Sequence, residues 1–259
     1  MIGADGIGSP VRQHILGDQQ VKAIYSGYLS LGSVLPRSQV VLPPDLQLPA
    51  FLYSRHGTIL VFALDKDTIQ WATTSPVAER DRHDWEDYRM SGQAVAQLQS
   101  DWSGCTLEPI ASMLRHVTDD NIRLWAPYQV PELARWHTAR TCVLGDAAHA
   151  VSPSLGQGAA QAFEDVGVMA RLLTTLPETT PPSTIFSQFE RLRRPRVDMI
   201  RKMTASAEST RGASSSGLGW FVKDKIIKAS FMVMGKGKGS YMSNGTIGGY
   251  DATNIDVKV

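Results

Sequence analysis

The sequence predicts an α/β chain with α+β character, and three observations carry that prediction. A compact apolar run, Thr141-Cys142-Val143-Leu144, stops abruptly at Gly145-Asp146, as a buried strand does where it delivers a polar residue at its carboxyl end. After a Gly/Pro/Ser loop, residues 157–176 read as a helix whose apolar face is formed by Phe163, Val166, Ala170 and Leu173. Residues 21–71 are instead strand-like, so sheet and helix patterns are interleaved along one chain.

Taken in order, residues 2–16 read as the end of a strand, a Gly-rich turn and one or two helical turns. Residues 25–31 mix aromatic and small side chains, 58–64 form a compact apolar run, and 68–74 alternate; Pro43, Pro44 and Pro49 fall in loops between them. Residues 84–102 are helical, with Tyr88, Val95, Leu98 and Trp102 near a 3.6-residue period. A short helix over 110–117 and a strand over 121–125 follow. Beyond a Pro/Thr-rich linker at 177–183, a helix is expected over 185–209, kinked or restarted at Pro195. The tail from Gly212 is rich in Gly, Ser and Lys, which predicts partial disorder apart from an amphipathic piece at 220–234.

Composition narrows the function. The chain has 259 residues, 42% hydrophobic and 20% charged, with 26 Lys plus Arg against 25 Asp plus Glu. That balance lacks the basic excess of a nucleic-acid binder. Cys105 and Cys142 are too few for a disulfide scaffold, and no apolar stretch is long enough to span a membrane. Without a signal-peptide pattern at the amino terminus, the expectation is a cytoplasmic protein acting on a small-molecule substrate; the oligomeric state stays open.

The chemistry concentrates at Gly145-Asp146-Ala147-Ala148-His149 and the following Pro153-Ser154-Leu155-Gly156-Gln157-Gly158-Ala159. An Asp at a strand's carboxyl end, before a two-glycine loop that opens a helix, lies where α/β folds bind ligands. The helix start offers free N–H groups and partial positive charge, and the glycines admit a large planar ligand close to the backbone.

This segment resembles the second flavin motif of the FAD monooxygenases related to para-hydroxybenzoate and salicylate hydroxylases. The resemblance implies FAD as cofactor and NADPH or NADH as co-substrate. It implies that Asp146 binds the ribityl chain, that Gly158 and Ala159 face the pyrimidine edge of the flavin, and that Gly156 and Pro153 lie in the loop against the ring. His149 matches too and is read as fixing the loop, with Asp165 structural. Gly3-Ala4-Asp5-Gly6, running on to Ser9-Pro10-Val11-Arg12, resembles the family's Gly-Ala-Asp-Gly motif. There Asp5 is expected to act through backbone and water, and Arg12 to supply a positive charge for phosphate. Phe189-Glu190-Arg191-Leu192-Arg193-Arg194-Pro195-Arg196-Val197 resembles a later family helix; read alone, it is a solvated basic face. No catalytic side chain and no metal ligand is assigned.

The resemblance implies an incomplete FAD-binding Rossmann-like domain interleaved with a mixed-sheet substrate domain, then carboxy-terminal helices. The expected parts are 1–20 (remnant of the FAD-binding domain), 21–138 (substrate domain), 139–176 (FAD-binding domain), 177–212 (helices) and 213–259 (tail). The family's opening Gly-x-Gly-x-x-Gly unit finds no match, since Gly6-Ile7-Gly8 lacks the third glycine and the helix. Gly32 falls where relatives carry Arg, and Phe62-Ala63 where they carry Tyr-Pro. The leading expectation is therefore a truncated FAD-dependent monooxygenase hydroxylating or epoxidising a small organic substrate. The alternative is a non-oxidative member, either a cyclase or isomerase or a non-catalytic partner.

Overall fold

The computed structural model describes residues 1–211 apart from Gln20, together with Gly219, Phe221, Val222, Asp224, Lys225 and Ala252. The amphipathic piece expected at 220–234 thus lies almost wholly outside the described residues. In chain order the elements are β1 (Ile2–Gly3), α1 (Pro10–Leu16), β2 (Ile24–Tyr25), β3 (Leu29–Pro36), β4 (Ala50–Ser54), β5 (Gly57–Ala63), β6 (Thr68–Ser75), α2 (Arg82–Met90), α3 (Gln93–Asp101), α4 (Ile110–Arg115), β7 (Ile122–Trp125), β8 (Tyr128–Gln129), β9 (Cys142–Val143), α5 (Asp146–His149), α6 (Gly158–Thr175) and α7 (Pro182–Arg211). They divide into two compact units, one of residues 1–24 and 128–208, the other of residues 25–127.

The unit of residues 25–127 is an antiparallel five-stranded sheet in the order β4-β5-β6-β3-β7. Strand alternation sorts its side chains. Leu29, Leu31 and Leu35 of β3, Ile59 and Val61 of β5, and Ile69 and Trp71 of β6 point to one face. There they pack with Trp85 and Tyr88 of α2, Ala94 and Leu98 of α3, and Ile110 and Met113 of α4. The helix expected over 84–102 is two helices, because Gly92 adopts φ 77°, a left-handed conformation that a helix interior cannot hold. Gly27, at φ 83°, likewise separates β2 from β3 within the strand expected over 25–31.

Gly32 lies mid-strand, with Ala72 opposite it on β6 and Arg123 opposite it on β7. A β-carbon there would sit 2.0 Å from the Trp71 carbonyl oxygen and 2.9 Å from the Ala72 Cα. Both neighbours are backbone, so the site admits no side chain. Its glycine, expected to mark a lost arginine, is set by the backbone itself.

In the other unit β1 and β9 pair in parallel, Ile2 with Cys142 and Gly3 with Val143. Around them pack Ile15, Trp136, Ala147, Ala148, Val168, Met169, Leu172, Phe189 and Val197. The apolar face predicted for α6 is corrected here: Phe163, Val166 and Leu173 are 77%, 54% and 54% exposed, while Gln161, Asp165, Val168, Met169 and Leu172 are buried. Apolar side chains occupy two stripes of this helix, and the inward stripe includes polar groups that a hydropathy pattern turns outward. Helix α7 continues through Pro195 as one element, so of the expected kink or restart the restart is excluded.

A Gly32→Ala substitution tests the close approach by its sign. Alanine in an open strand interior stabilises by roughly 0.5–1 kcal/mol relative to glycine; here urea melts are expected to show a loss of about 1–3 kcal/mol, the usual cost of overpacking.

Candidate functional site

Two loops follow the paired strands β1 and β9, and both are built from local sequence. After β1, Gly6 turns the chain at φ 79°. Ser9 caps α1 by accepting from the Arg12 amide at 2.8 Å, with Pro10 in the first turn where its missing N–H costs nothing. Asp5 braces this cap, its carboxylate accepting from Ser9 Oγ at 2.6 Å and from the Val11 amide at 3.1 Å. Burial works against the charged form of Asp5, but these hydrogen bonds and the nearby Arg12 hold its pKa below the ordinary value. Gly3 is required by closeness: a β-carbon there would lie 2.7 Å from Val11 Cβ.

Arg12 is 2% exposed. Its Nη1 donates to the Ala147 carbonyl at 2.9 Å and its Nη2 to the Ile7 carbonyl at 2.6 Å. The first loop is thereby tied to the second across 135 residues of chain.

The second loop starts at Gly145, whose φ of 59° and ψ of −143° fall in a region that only glycine occupies without strain. Its amide donates to Asp165 Oδ2 at 2.7 Å. The same oxygen lies 2.6 Å from His149 Nε2, and Arg193 Nε donates to Asp165 Oδ1 at 2.7 Å. Asp165 and Arg193 are both 0% exposed. Burial alone raises the Asp165 pKa, yet the hydrogen bond to His149 and the charge of Arg193 outweigh it and hold the carboxyl below its ordinary 3.8. An ionised carboxylate only accepts, so His149 carries its proton on Nε2. Arg193 also donates to Glu164 Oε2 at 2.6 Å and to Gln161 Oε1 at 2.8 Å. The solvated basic face expected over 189–197 is therefore corrected at Arg193, which is the buried counter-ion of this network. Cys142 beside it is no nucleophile: burial, with Glu190 and Asp165 nearby, pushes its thiol up to about 12.

Above this network, residues 141–150 are buried with one exception, Asp146. Its carboxylate has no hydrogen-bond partner among the described residues. Pro153 begins a 3-10 turn that Gly156 closes at φ 65°. The 18-residue helix α6 then opens at Gly158 with no side-chain cap and no acidic residue in its first turn. Its first amides, including that of Ala159, keep their donors, and the helix dipole adds partial positive charge. Added β-carbons at Gly156 and Gly158 would meet nothing within 4 Å, so the backbone is open to a ligand there. The chain thus gathers Asp146, Pro153, Gly156, Gly158 and Ala159 on one loop, while Asp5 and Arg12 build the neighbouring loop. Sequence reasoning missed Arg193, Glu164 and Gln161. Their signal was the adjacent acidic pair Glu164-Asp165 on one helix and an arginine run on the next.

The family described as FAD binding domain matches residues 1–204. The 6-hydroxynicotinate 3-monooxygenase of Pseudomonas fluorescens is 30% identical over 177 residues, covering 67% of this chain and 43% of that protein. The 3-amino-4-hydroxybenzoate 2-monooxygenase PtmB3 of Streptomyces platensis is 28% identical over 210 residues, covering 78% and 48%. The chain spans about half the length of the curated relatives it matches. Among solved structures, a salicylate hydroxylase substrate complex shares the fold with a TM-score of 0.70 at 21% identity, covering 97% of this chain and 61% of that one. HpxO of Klebsiella pneumoniae, complexed with FAD and uric acid, gives 0.67 at 17% identity, covering 91% and 55%.

Two tests follow from the buried network. Arg193→Ala leaves Asp165 a buried charge without its arginine counter-ion, held only by the Gly145 amide and His149, and thermal or urea melts are expected to show a loss of about 3–5 kcal/mol. Because the Asp165 pKa is lowered by folding, its contribution is complete above the ordinary 3.8 and is lost as pH falls through the lower folded value. Acid titration of stability should therefore be shallower in Asp165→Asn than in the parent.

Proposed function

Since the chain belongs to the FAD binding domain family, we propose that it forms the flavin-holding and substrate-holding part of an FAD-dependent monooxygenase acting on a small aromatic or heteroaromatic compound. The observation that carries this reading is Asp146. Among the described residues it is an unpartnered, exposed carboxylate in an otherwise buried run, on the segment that leads to the uncapped start of α6, and the Gly145 amide just before it is held by Asp165.

In this reading the Asp146 carboxylate accepts hydrogen bonds from ribityl hydroxyls. The amides of Gly158 and Ala159 donate to the pyrimidine edge of the flavin, where negative charge gathers on reduction, and being fixed in advance they need not reorganise. Pro153 and Gly156 border the ring. Arg12 contributes by locking the two loops together through Ala147, and its positive charge favours a phosphate nearby. When bound, FAD supplies the redox and oxygen chemistry, drawing electrons from NADPH or NADH and transferring one atom of O2. The protein's task is to bind, orient and keep water out, and no side chain is required as general acid or base.

The aromatic acids named for the two relatives support the substrate class. The non-oxidative alternative drew on the unmatched Gly-x-Gly-x-x-Gly unit, on Gly32 and on Phe62; the backbone contacts of Gly32 account for one of the three. No helix among the described residues is long and apolar enough to cross a membrane, and a cytoplasmic location is part of this proposal.

FAD titration of the purified chain, followed by flavin absorbance and tryptophan fluorescence, tests the reading. Saturable binding is expected, weakened about 10–100-fold by Asp146→Ala, the worth of a charge-assisted hydrogen bond at roughly 1.5–3 kcal/mol. A folded chain that does not bind FAD, or an Asp146→Ala variant that binds it equally, contradicts the proposal.

A further inference from the structure

Helix α7 holds the loop from Gly145 to Ala159 at successive places. Arg193 Nε donates to Asp165, the acceptor of the Gly145 amide. About two turns along the helix, Arg201 Nη2 donates to the Val130 carbonyl at 3.0 Å, and the Val130 amide donates to the Ala150 carbonyl at 2.9 Å. About two turns beyond that, Oε1 of Glu208 accepts from Ser152 Oγ and, at 2.8 Å, from Ser154 Oγ. A single carboxylate oxygen thus gathers the hydroxyls on either side of Pro153 and brings them within 3.1 Å of each other.

The 3-10 turn at Pro153–Leu155 needs such a tie. None of its residues is buried, so apolar packing does not fix it. Pro153 has no N–H to anchor, and the bond that closes the turn, from the Gly156 amide to the Pro153 carbonyl at 2.8 Å, is internal to it. Ser152 precedes the turn without capping it through its side chain. It is 2% exposed, and a hydroxyl so buried must be satisfied; Glu208 supplies its acceptor. Glu208 lies in the last turn of α7, which ends at Arg211.

We infer that Glu208 is a positioning residue of the flavin site, setting where Pro153 stands by holding the two serine hydroxyls that flank it. The inference rests on the proposed flavin-holding role, in which Pro153 and Gly156 border the ring, and deepens it. A hydroxyl donating to a carboxylate makes a shorter and stronger bond than a neutral pair, and two donors on one oxygen fix direction as well as distance. Glu208 acts through the serines and takes no part in the chemistry.

The experiment uses the full chain, the variants Glu208→Ala and Glu208→Gln, and FAD as the probe, with circular dichroism melts confirming that each variant folds. Amide hydrogen exchange at Gly156, measured without FAD, reports whether the turn is held. Glu208→Ala is expected to exchange about tenfold faster there, with the Gly145 amide unchanged, and to bind FAD about tenfold more weakly. The absorbance band of the flavin it does bind should shift toward that of free FAD. Glu208→Gln keeps an oxygen able to accept both hydroxyls and should recover most of each effect. Ser154→Ala removes one of the two donors and should fall between the parent and Glu208→Ala. Unchanged Gly156 exchange in Glu208→Ala, or faster exchange with FAD affinity and flavin band as in the parent, overturns the inference. A folded parent that binds no FAD removes the flavin reading instead; Gly156 exchange still decides whether Glu208 holds the turn.

Discussion

The geometry of the loop from Gly145 to Ala159 depends on one buried carboxylate. Asp165 has no access to water, and it stays charged because three donors from three places in the chain converge on it: the Gly145 amide, His149 Nε2 and Arg193 Nε. Each donor fixes a different element. Gly145 sets the turn out of β9, His149 closes α5 over it, and Arg193 locks α7 against α6. Such a network adds little net stability over an apolar core of equal volume, but it tolerates no rearrangement, because any shift strands a charge. Its product is shape. With its chain neighbours buried, Asp146 stays exposed at the head of α5, on the segment that leads to the uncapped start of α6.

Arg12 extends the same constraint to the other loop. A buried guanidinium with two terminal nitrogens on backbone carbonyls holds Ile7 and Ala147 at fixed separation, although the segments that carry them are far apart in sequence. The charge expected to serve phosphate directly also serves as a clasp, and Asp5, expected to act through backbone and water, spends its carboxylate on the helix cap that positions this clasp.

What was legible in the sequence was what is local. Strand, glycine turn, Asp and glycine-opened helix occupy under twenty consecutive residues, so the position of Asp146 and of Gly158-Ala159 followed from their order. The Asp165–Arg193 pair spans 28 residues and two helices, and nothing in either helix names its partner. The inward face of α6 was misread for the same reason: its Gln161 and Asp165 are buried because Arg193 satisfies them, which a hydropathy period cannot register. In the sheet, the apolar run at 58–64 and the alternation at 68–74 marked β5 and β6 as strands, whereas the meaning of Gly32 needed the backbone of Trp71 and Ala72. Two glycines decided element boundaries, Gly27 and Gly92, through positive φ angles that composition alone does not distinguish from ordinary helix or strand positions.

The most direct test of the account is a backbone amide map, by two-dimensional nuclear magnetic resonance, of the folded chain with and without FAD. The account predicts the largest shifts at Asp146, Ala147 and residues 156–160, with smaller ones at the Arg12 loop and little change at the buried Gly145 amide, already committed to Asp165. Shifts confined to the sheet of residues 25–127, with those loops silent, would contradict it.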